Sequence, residues 1–134
     1  AAGRILTGPN GIFVSRVLCV KKAHMNIVVL DADYPQFPRL LQGALHHISI
    51  LGKPQKEDRA YYDVVGNLPD SLERFGERRM LPAVQAGDFC SLQDAGLGYP
   101  VADTVCSHKE TCSGYRYTAE KRIVLLDGFI NPAC

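Results

Sequence analysis

The chain has 134 residues, which suffices for one domain and is too short for two of ordinary size. Its 15 Lys and Arg nearly balance 14 Asp and Glu, and the formal charge of +1 excludes the strongly basic surface typical of nucleic-acid binding. Apolar runs such as residues 27–30 fall far short of the roughly 20 residues that span a bilayer, so we expect neither nucleic acid nor a membrane as a partner.

The start of the sequence and its cysteines bear on processing and compartment. The chain opens with Ala1 rather than Met and shows no signal-peptide pattern, so we expect an excised piece of a longer protein. Five cysteines at irregular spacing do not form the even set expected of a disulfide-stabilised secreted domain. Cys19 and Cys90 lie in apolar runs, where a reduced thiol behaves as a small hydrophobe. These features favour a reduced, cytoplasmic protein.

Short apolar runs separated by turn residues predict β-strands along the whole chain. The first follows Gly8-Pro9-Asn10-Gly11, a turn cluster in which Gly and Asn accept positive φ and Pro fixes its own φ. The runs have the length and β-branched content of strands. The predicted strands are residues 12–20, 27–30, 45–51, 61–65, 88–92 and 122–126.

Helical signals are few. Residues 71–75 predict one short helical turn, capped by Asp70 or Ser71. Residues 52–59 read as a polar hairpin loop, and residues 73–79 mix charges of both signs as a solvated turn does. Strands with Gly/Pro turns and almost no amphipathic helix predict a single all-β domain over residues 1–134, a Greek-key barrel or sandwich.

Motif spacing alone identifies no reaction. The rings of His46 and His47 should point to opposite faces of a strand, which favours a structural or surface role over shared metal binding. The segment from Cys106 to Cys112 contains thiols but no C-x-x-C pair, so we expect no metal site there. Without further information these residues indicate no more than a soluble all-β domain.

Motifs spread along the chain, however, resemble those of one enzyme family. Gly3-Arg4 with the strand at 11–18 is similar to an E-P-G-R segment and the strand after it. Asp31-Ala32 resembles a D-A-G strand end, and Arg39 with residues 43–46 resembles R-P-x-L-Y-x-A-Y-H. Residues 63–73 match D-V-V-G-x-x-C-E/D-x-x-D, and the similarity continues through L-P at 81–82 and G-D at 87–88 to residues 94–96.

These motifs are those of the C-terminal β domain of pyridoxal-phosphate decarboxylases of the alanine-racemase type, the ornithine and diaminopimelate decarboxylase family. The resemblance implies a pyridoxal phosphate cofactor held through a lysine of a preceding barrel domain, and an active site at a homodimer interface. It also implies a small amino-acid substrate. The isolated 134-residue domain is then not expected to be active by itself.

The resemblance assigns roles to particular residues. Arg4 would hold an anion, either the cofactor phosphate or a substrate carboxylate, since a guanidinium fork suits both. Arg39 would bind a substrate carboxylate, and Asp31 and Asp70 would face the distal amine of a basic amino acid. Tyr99 stands one residue after the family's phosphate-binding tyrosine, so it replaces that tyrosine only if the loop shifts.

Other positions depart from the family pattern. Ala1 stands where the family has the acidic residue that keeps the pyridine nitrogen protonated, and Pro69 replaces the cysteine that handles a proton. Gly98 occupies the tyrosine position, and Gln42 replaces a tyrosine after Arg39. Two hypotheses therefore stand: a diverged decarboxylase domain, or a catalytically inactive relative that serves as a dimerising, regulatory or ligand-binding module.

Overall fold

The structure is a computed structural model that describes residues 3–33, 37, 45–54, 58–68, 74–96 and 115–125. A short helix and a 3-10 turn precede the first strand. The elements, in chain order, are α1 (Gly3–Thr7), the 3-10 turn (Gly8–Asn10), β1 (Phe13–Lys22), β2 (Asn26–Leu30), β3 (Ile48–Ile50), β4 (Ala60–Val65), β5 (Arg74–Leu81), β6 (Phe89–Leu92), β7 (Tyr115–Tyr117) and β8 (Ile123–Leu125).

Six of these strands form one sheet in the order β3-β6-β1-β2-β4-β5. The neighbouring pairs are antiparallel except β2 and β4, which run parallel. The two outer strands approach each other, because a Cβ built on Gly76 of β5 would lie 2.8 Å from Cδ1 of Ile48 in β3. The sheet thus curls into a nearly closed barrel, which confirms the predicted all-β barrel class. β7 and β8 pair separately as a two-stranded antiparallel sheet.

β1 serves both halves of the barrel. Its first residues, 13–16, pair with β6, and the residues from Val17 to Lys22 pair with β2. The register shifts between Val17 and Cys19, and a bulge of this kind bends a strand and increases its twist. The bend allows a single strand to link two differently oriented halves of the sheet.

Alternate residues of the strands point into the barrel and form its core. Val17, Val28, Leu30 and Val64 are each at most 1% exposed, and Leu92 of β6 is completely buried. Burial of an aliphatic side chain of this size contributes about 1.5–3 kcal/mol, so the interior is the main source of stability. In the part of the chain that the structure describes, no helix has the length and apolar character needed to cross a membrane.

All six predicted strands are present with shifted ends. β1 extends to Lys22 rather than ending at Val20, and β3 contains only Ile48–Ile50 of the predicted residues 45–51. The predicted hairpin loop at 52–59 is wrong, because it connects β3 to β4 and these strands are not neighbours in the sheet. β3 pairs with β6 instead, and β4 pairs with β2 and β5.

The region around residues 71–79 is also corrected. Arg74–Leu81 is strand β5, so the predicted solvated turn at 73–79 and the end of the predicted helical turn at 71–75 are wrong for the described residues. Phe75 and Leu81 point inward and are 2% and 1% exposed. Arg78 adopts a positive φ of 44°, and the register shifts in the β4–β5 pair. Because of this irregularity, buried and exposed residues do not alternate along β5 in the regular way that identifies a strand in a sequence.

Candidate functional site at one end of the barrel

Six strand ends meet at one end of the barrel, which we call the rim. Because β1, β3 and β5 are antiparallel to their neighbours, their first residues lie beside the last residues of β2, β4 and β6. The parallel pairing of β2 with β4 places the ends of both strands on this side. The strand residues at the rim are Phe13, Leu30, Ile48, Val65, Arg74 and Leu92.

An aromatic cluster fills the barrel beneath the rim. The ring of Phe37 lies 5.0 Å from that of Phe13 and 6.3 Å from that of Phe75, measured between centroids. The imidazole of His46 meets Phe37 edge-on at 4.9 Å. Aromatic rings at these separations stabilise one another beyond the effect of burial. The cluster therefore closes the interior, and any polar site at this end lies above it.

His46 is fixed by a hydrogen bond to the end of β6. Its Nδ1 lies 2.8 Å from the carbonyl oxygen of Gln93, and the backbone N–H of Gln93 donates to the carbonyl oxygen of His47 at 3.0 Å. The His46 side chain is buried and that of His47 is exposed, so the two rings do point to opposite faces as predicted. The sequence analysis assigned His46 no role at the site. The signal that distinguishes His46 from His47 is its match to the final histidine of the R-P-x-L-Y-x-A-Y-H motif.

Asp31 is the predicted site residue whose side chain the structure describes, and it lies at the rim. It directly follows β2, is exposed, and its backbone N–H donates to the carbonyl oxygen of Arg16 at 2.8 Å. Just beyond it, the N–H of Asn67 donates to the carbonyl oxygen of Ala32 at 3.1 Å. The exits of β2 and β4 are therefore tied together, with a solvent-accessible carboxylate beside them.

Backbone contacts also join α1 to the segment that follows β6. Ala95 N–H donates to the carbonyl oxygen of Gly11 at 2.9 Å, and Gly96 N–H donates to that of Gly8 at 3.1 Å. A Cβ on Gly96 would lie 1.7 Å from the carbonyl oxygen of Thr7, so the two segments touch backbone to backbone. The start of the described chain is thus held at the rim.

The other predicted site residues are placed as follows. Arg4 belongs to α1 by its backbone, and its side chain lies outside the described part of the structure. Arg39, Asp70 and Tyr99 lie outside the described residues. The strand ends nearest to them in sequence, Leu30 and Ile48, Val65 and Arg74, and Leu92, are at the rim. Ala1, Gln42, Pro69, Gly98 and the segment 106–112 also fall outside the described residues.

The described lysines of the six-stranded sheet are at the opposite end of the barrel. Lys21 and Lys22 end β1, and Lys53 follows β3. Nζ of Lys53 donates to the carbonyl oxygen of Ala83 and to Oδ2 of Asp88, which fixes that amine in an ion pair. Among the residues described, no three His, Cys, Asp or Glu side chains are grouped as metal ligands.

Cys90 lies within the barrel rather than at the rim surface. It is completely buried in β6, and desolvation by burial raises the pKa of its thiol from 9.0 to about 12. A thiol in this state is neither a nucleophile nor a metal ligand near neutral pH. It acts as a small apolar core residue, as the sequence predicted.

The fold and the rim together define an all-β domain that presents polar residues from distant segments at one end of a barrel. Residues 9–96 match the sequence model of the pyridoxal-dependent decarboxylase, C-terminal sheet domain. The chain therefore belongs to this family, and the resemblance found in the sequence motifs is confirmed.

Similar proteins agree with this membership. A diaminopimelate decarboxylase of Archaeoglobus fulgidus is 33% identical over 95 residues, which are 70% of this chain and 23% of that protein. A crystal structure of diaminopimelate decarboxylase superposes with a TM-score of 0.80 at 25% identity, covering 91% of this chain and 32% of that one. The diaminopimelate decarboxylase of Helicobacter pylori complexed with L-lysine gives a TM-score of 0.77 at 25% identity, covering 91% and 30%. The chain thus spans about a quarter to a third of the length of these relatives.

Proposed function

We propose that this chain is the C-terminal domain of a pyridoxal-phosphate-dependent decarboxylase that acts on a basic or diamino amino acid, such as diaminopimelate, ornithine or lysine. One observation carries the proposal: Asp31 is exposed at the rim, and the strand ends that stand next in sequence to Arg39, Asp70 and Tyr99 meet at the same rim, to which α1 is joined by the contact of Thr7 with Gly96. Residues far apart in the sequence are expected to meet at one place for this reason. Relatives named diaminopimelate decarboxylase support the substrate class.

The substrate side of the proposed site uses charge complementarity. Asp31 is an exposed carboxylate at the rim, suited to the ammonium group at the far end of a diamino acid. Asp70 is proposed as a second carboxylate for the same group. Arg39 is proposed to bind a substrate carboxylate, because its planar guanidinium can donate two parallel hydrogen bonds. A substrate with charges at both ends would be oriented by these groups.

The cofactor side is divided between this chain and another domain. Pyridoxal phosphate, when bound, supplies an electron sink for bond cleavage at the substrate carbon that carries the amine. Arg4 and Tyr99, a guanidinium and a phenol, have the chemistry to hold its phosphate. The described sheet lysines are at the opposite end of the barrel, so this rim fits a supporting role. The lysine that holds the cofactor would come from a preceding barrel domain.

The rim is proposed to lie against that barrel domain and a second subunit. Large apolar side chains near the rim are exposed to solvent: Ile5 and Leu45 are each 81% exposed, and Ile12 is 65% exposed. Large exposed apolar residues at one end of a domain are typical of a surface that another protein surface covers. A homodimer whose active site forms at this interface would account for both the exposed apolar residues and the exposed carboxylate of Asp31 at this end of the barrel.

The second candidate is a catalytically inactive domain that dimerises, regulates or binds ligands. It is favoured by Pro69 and Ala1, which lack the titratable groups that the family has at these positions. Binding groups such as Asp31 would then serve recognition without a reaction. The two candidates share the rim and differ in whether proton transfer takes place there.

The deciding experiment uses the complete protein that carries this chain. Pyridoxal phosphate is added, the absorbance of bound cofactor is recorded, and carbon dioxide release is measured with diaminopimelate, ornithine and lysine. Bound-cofactor absorbance with carbon dioxide release supports the decarboxylase. Binding without release supports the inactive module, and absence of a bound-cofactor band contradicts the enzyme. A sedimentation measurement accompanies it, because a strict monomer at high concentration contradicts the proposed homodimer.

A further inference from the structure

We propose that His46 is a positioning residue that holds the segment after β6 and the ring of Phe37 in fixed places at the rim, where the proposed substrate site lies. The identity of that substrate rests on the proposed function. The arrangement of His46 itself rests on contacts of the described residues.

The first contact fixes the tautomer of the ring. A carbonyl oxygen can only accept a hydrogen bond, so the 2.8 Å approach of Nδ1 to the oxygen of Gln93 places the proton on Nδ1. The backbone N–H of Gln93 returns a bond to the oxygen of His47. The backbone carbonyl of Gln93 therefore bonds to the ring of His46, and its backbone N–H bonds to His47, the next residue before β3.

The second contact joins the ring to the segment between β2 and β3. The imidazole stands edge-on to Phe37, with a 69° angle between the ring planes, and both residues are almost completely buried. Phe37 precedes Arg39 by two residues in the sequence. On the other side of the ring, Gln93 is followed in the sequence by Ala95 and Gly96. The backbone N–H groups of these two residues donate hydrogen bonds to the segment after α1. His46 thus touches both segments that flank the rim.

Ordinary packing does not account for the imidazole. The His46 side chain is 2% exposed, and its Nε2 has no hydrogen-bond partner among the described residues. A buried polar atom without a partner destabilises a fold, and a phenyl ring would fill a similar volume without this cost. What a phenyl ring lacks is the Nδ1–H donor. The bond to Gln93 is therefore the feature that distinguishes histidine at this position.

The kinetic test compares two substitutions in the complete protein. His46→Phe keeps an aromatic ring against Phe37 and removes the donor, whereas His46→Asn places an amide N–H near the position of Nδ1. We expect His46→Phe to raise KM for the amino acid by about tenfold with a much smaller change in kcat, because misplacement of binding groups weakens substrate positioning. His46→Asn should restore most of the lost affinity. His47→Asn, at an exposed neighbour, is the matched control.

Two outcomes overturn the inference: an unchanged KM for His46→Phe, or equal impairment of the Phe and Asn variants. A measurement on the unmodified complete protein decides the case where the variants fail to fold. Nitrogen-15 spectra of labelled histidine should show His46 with its proton on Nδ1, and a proton on Nε2 alone contradicts the proposal. Failure of the proposed function can be told apart from failure of this inference. If the wild-type protein is inactive, the nitrogen-15 spectrum still reports which ring nitrogen of His46 carries the proton.

Discussion

Gly11 and Gly96 pack backbone against backbone at the rim. A Cβ on Gly11 would lie 2.3 Å from Cα of Gly96, which is closer than any side chain tolerates. The two hydrogen bonds on either side, from Ala95 to Gly11 and from Gly96 to Gly8, hold the contact in place. The contact forms a junction between the segment before β1 and the segment after β6.

The first prediction concerns this junction. Gly96→Ala should lower the free energy of unfolding by about 3 kcal/mol, because the added methyl group overlaps the carbonyl oxygen of Thr7. Denaturant titration measures the loss. Gly52→Asn is the control: Gly52 has a φ of +75° that Asn tolerates and open space around it, so its effect should stay within about 0.5 kcal/mol. Similar losses in both variants contradict the close contact.

The second prediction tests the exposed carboxylate at the rim. Asp31→Asn in the complete protein should raise KM for a diamino acid by about tenfold, because a charge-assisted bond to the distal ammonium is lost. The free energy of unfolding of the variant is measured as well, so that a change in KM is separated from a change in stability. Asp58→Asn provides a matched change at an exposed Asp before β4, at the opposite end of the barrel. Equal KM values for Asp31→Asn and Asp58→Asn exclude Asp31 from substrate binding.

The third prediction follows from the pKa of Cys90. Burial raises this pKa from 9.0 to about 12, so between these values the unfolded chain releases a proton that the folded protein keeps. The free energy of unfolding therefore falls as the pH rises above about 9. By pH 10 this contribution should reach about 1 kcal/mol. Denaturant titrations at pH 8 and pH 10 should show a smaller decrease for Cys90→Ala, and an identical decrease in both proteins contradicts the assignment.

The fourth prediction concerns the ion pair at the end opposite the rim. Lys53 donates to Asp88 Oδ2 and to the carbonyl oxygen of Ala83, and the same Oδ2 accepts from the N–H of Gln85. Lys53→Met should lower the free energy of unfolding by about 1 kcal/mol, with a smaller loss in concentrated salt. Lys22→Met, at an exposed lysine, should change little. Equal effects of the two substitutions contradict a stabilising role for the pair.

Much of the fold was predictable because local patterns mark the strands. Continuous apolar runs identified β2 and β4, and the Gly8–Asn10 cluster marked the turn before β1. β5 was missed because four of its eight residues are charged and because Arg78 interrupts the strand. The N–H of Arg78 turns to Oδ1 of Asp63 at 2.8 Å instead of continuing the ladder. Only the partner strand reveals why this segment is extended.

The candidate site was predictable in part, for a different reason. Sequence motifs singled out Asp31, but its neighbourhood depends on the parallel pairing of β2 with β4, which joins segments about 35 residues apart. Periodicity carries no information about such pairing. The place of His46 was likewise hidden, because its partner Gln93 follows another strand. The residue types identified the candidate site residues, and the strand order determined which residues lie next to them.

The strand order has a consequence for how the rim forms during folding. The parallel pair and the junction of Gly11 with Gly96 both join segments that are distant in sequence, so we expect closure of the barrel to come late in folding. No partial assembly of hairpins contains the whole rim. The rim is therefore expected to form in one cooperative step when the barrel closes, and not strand by strand.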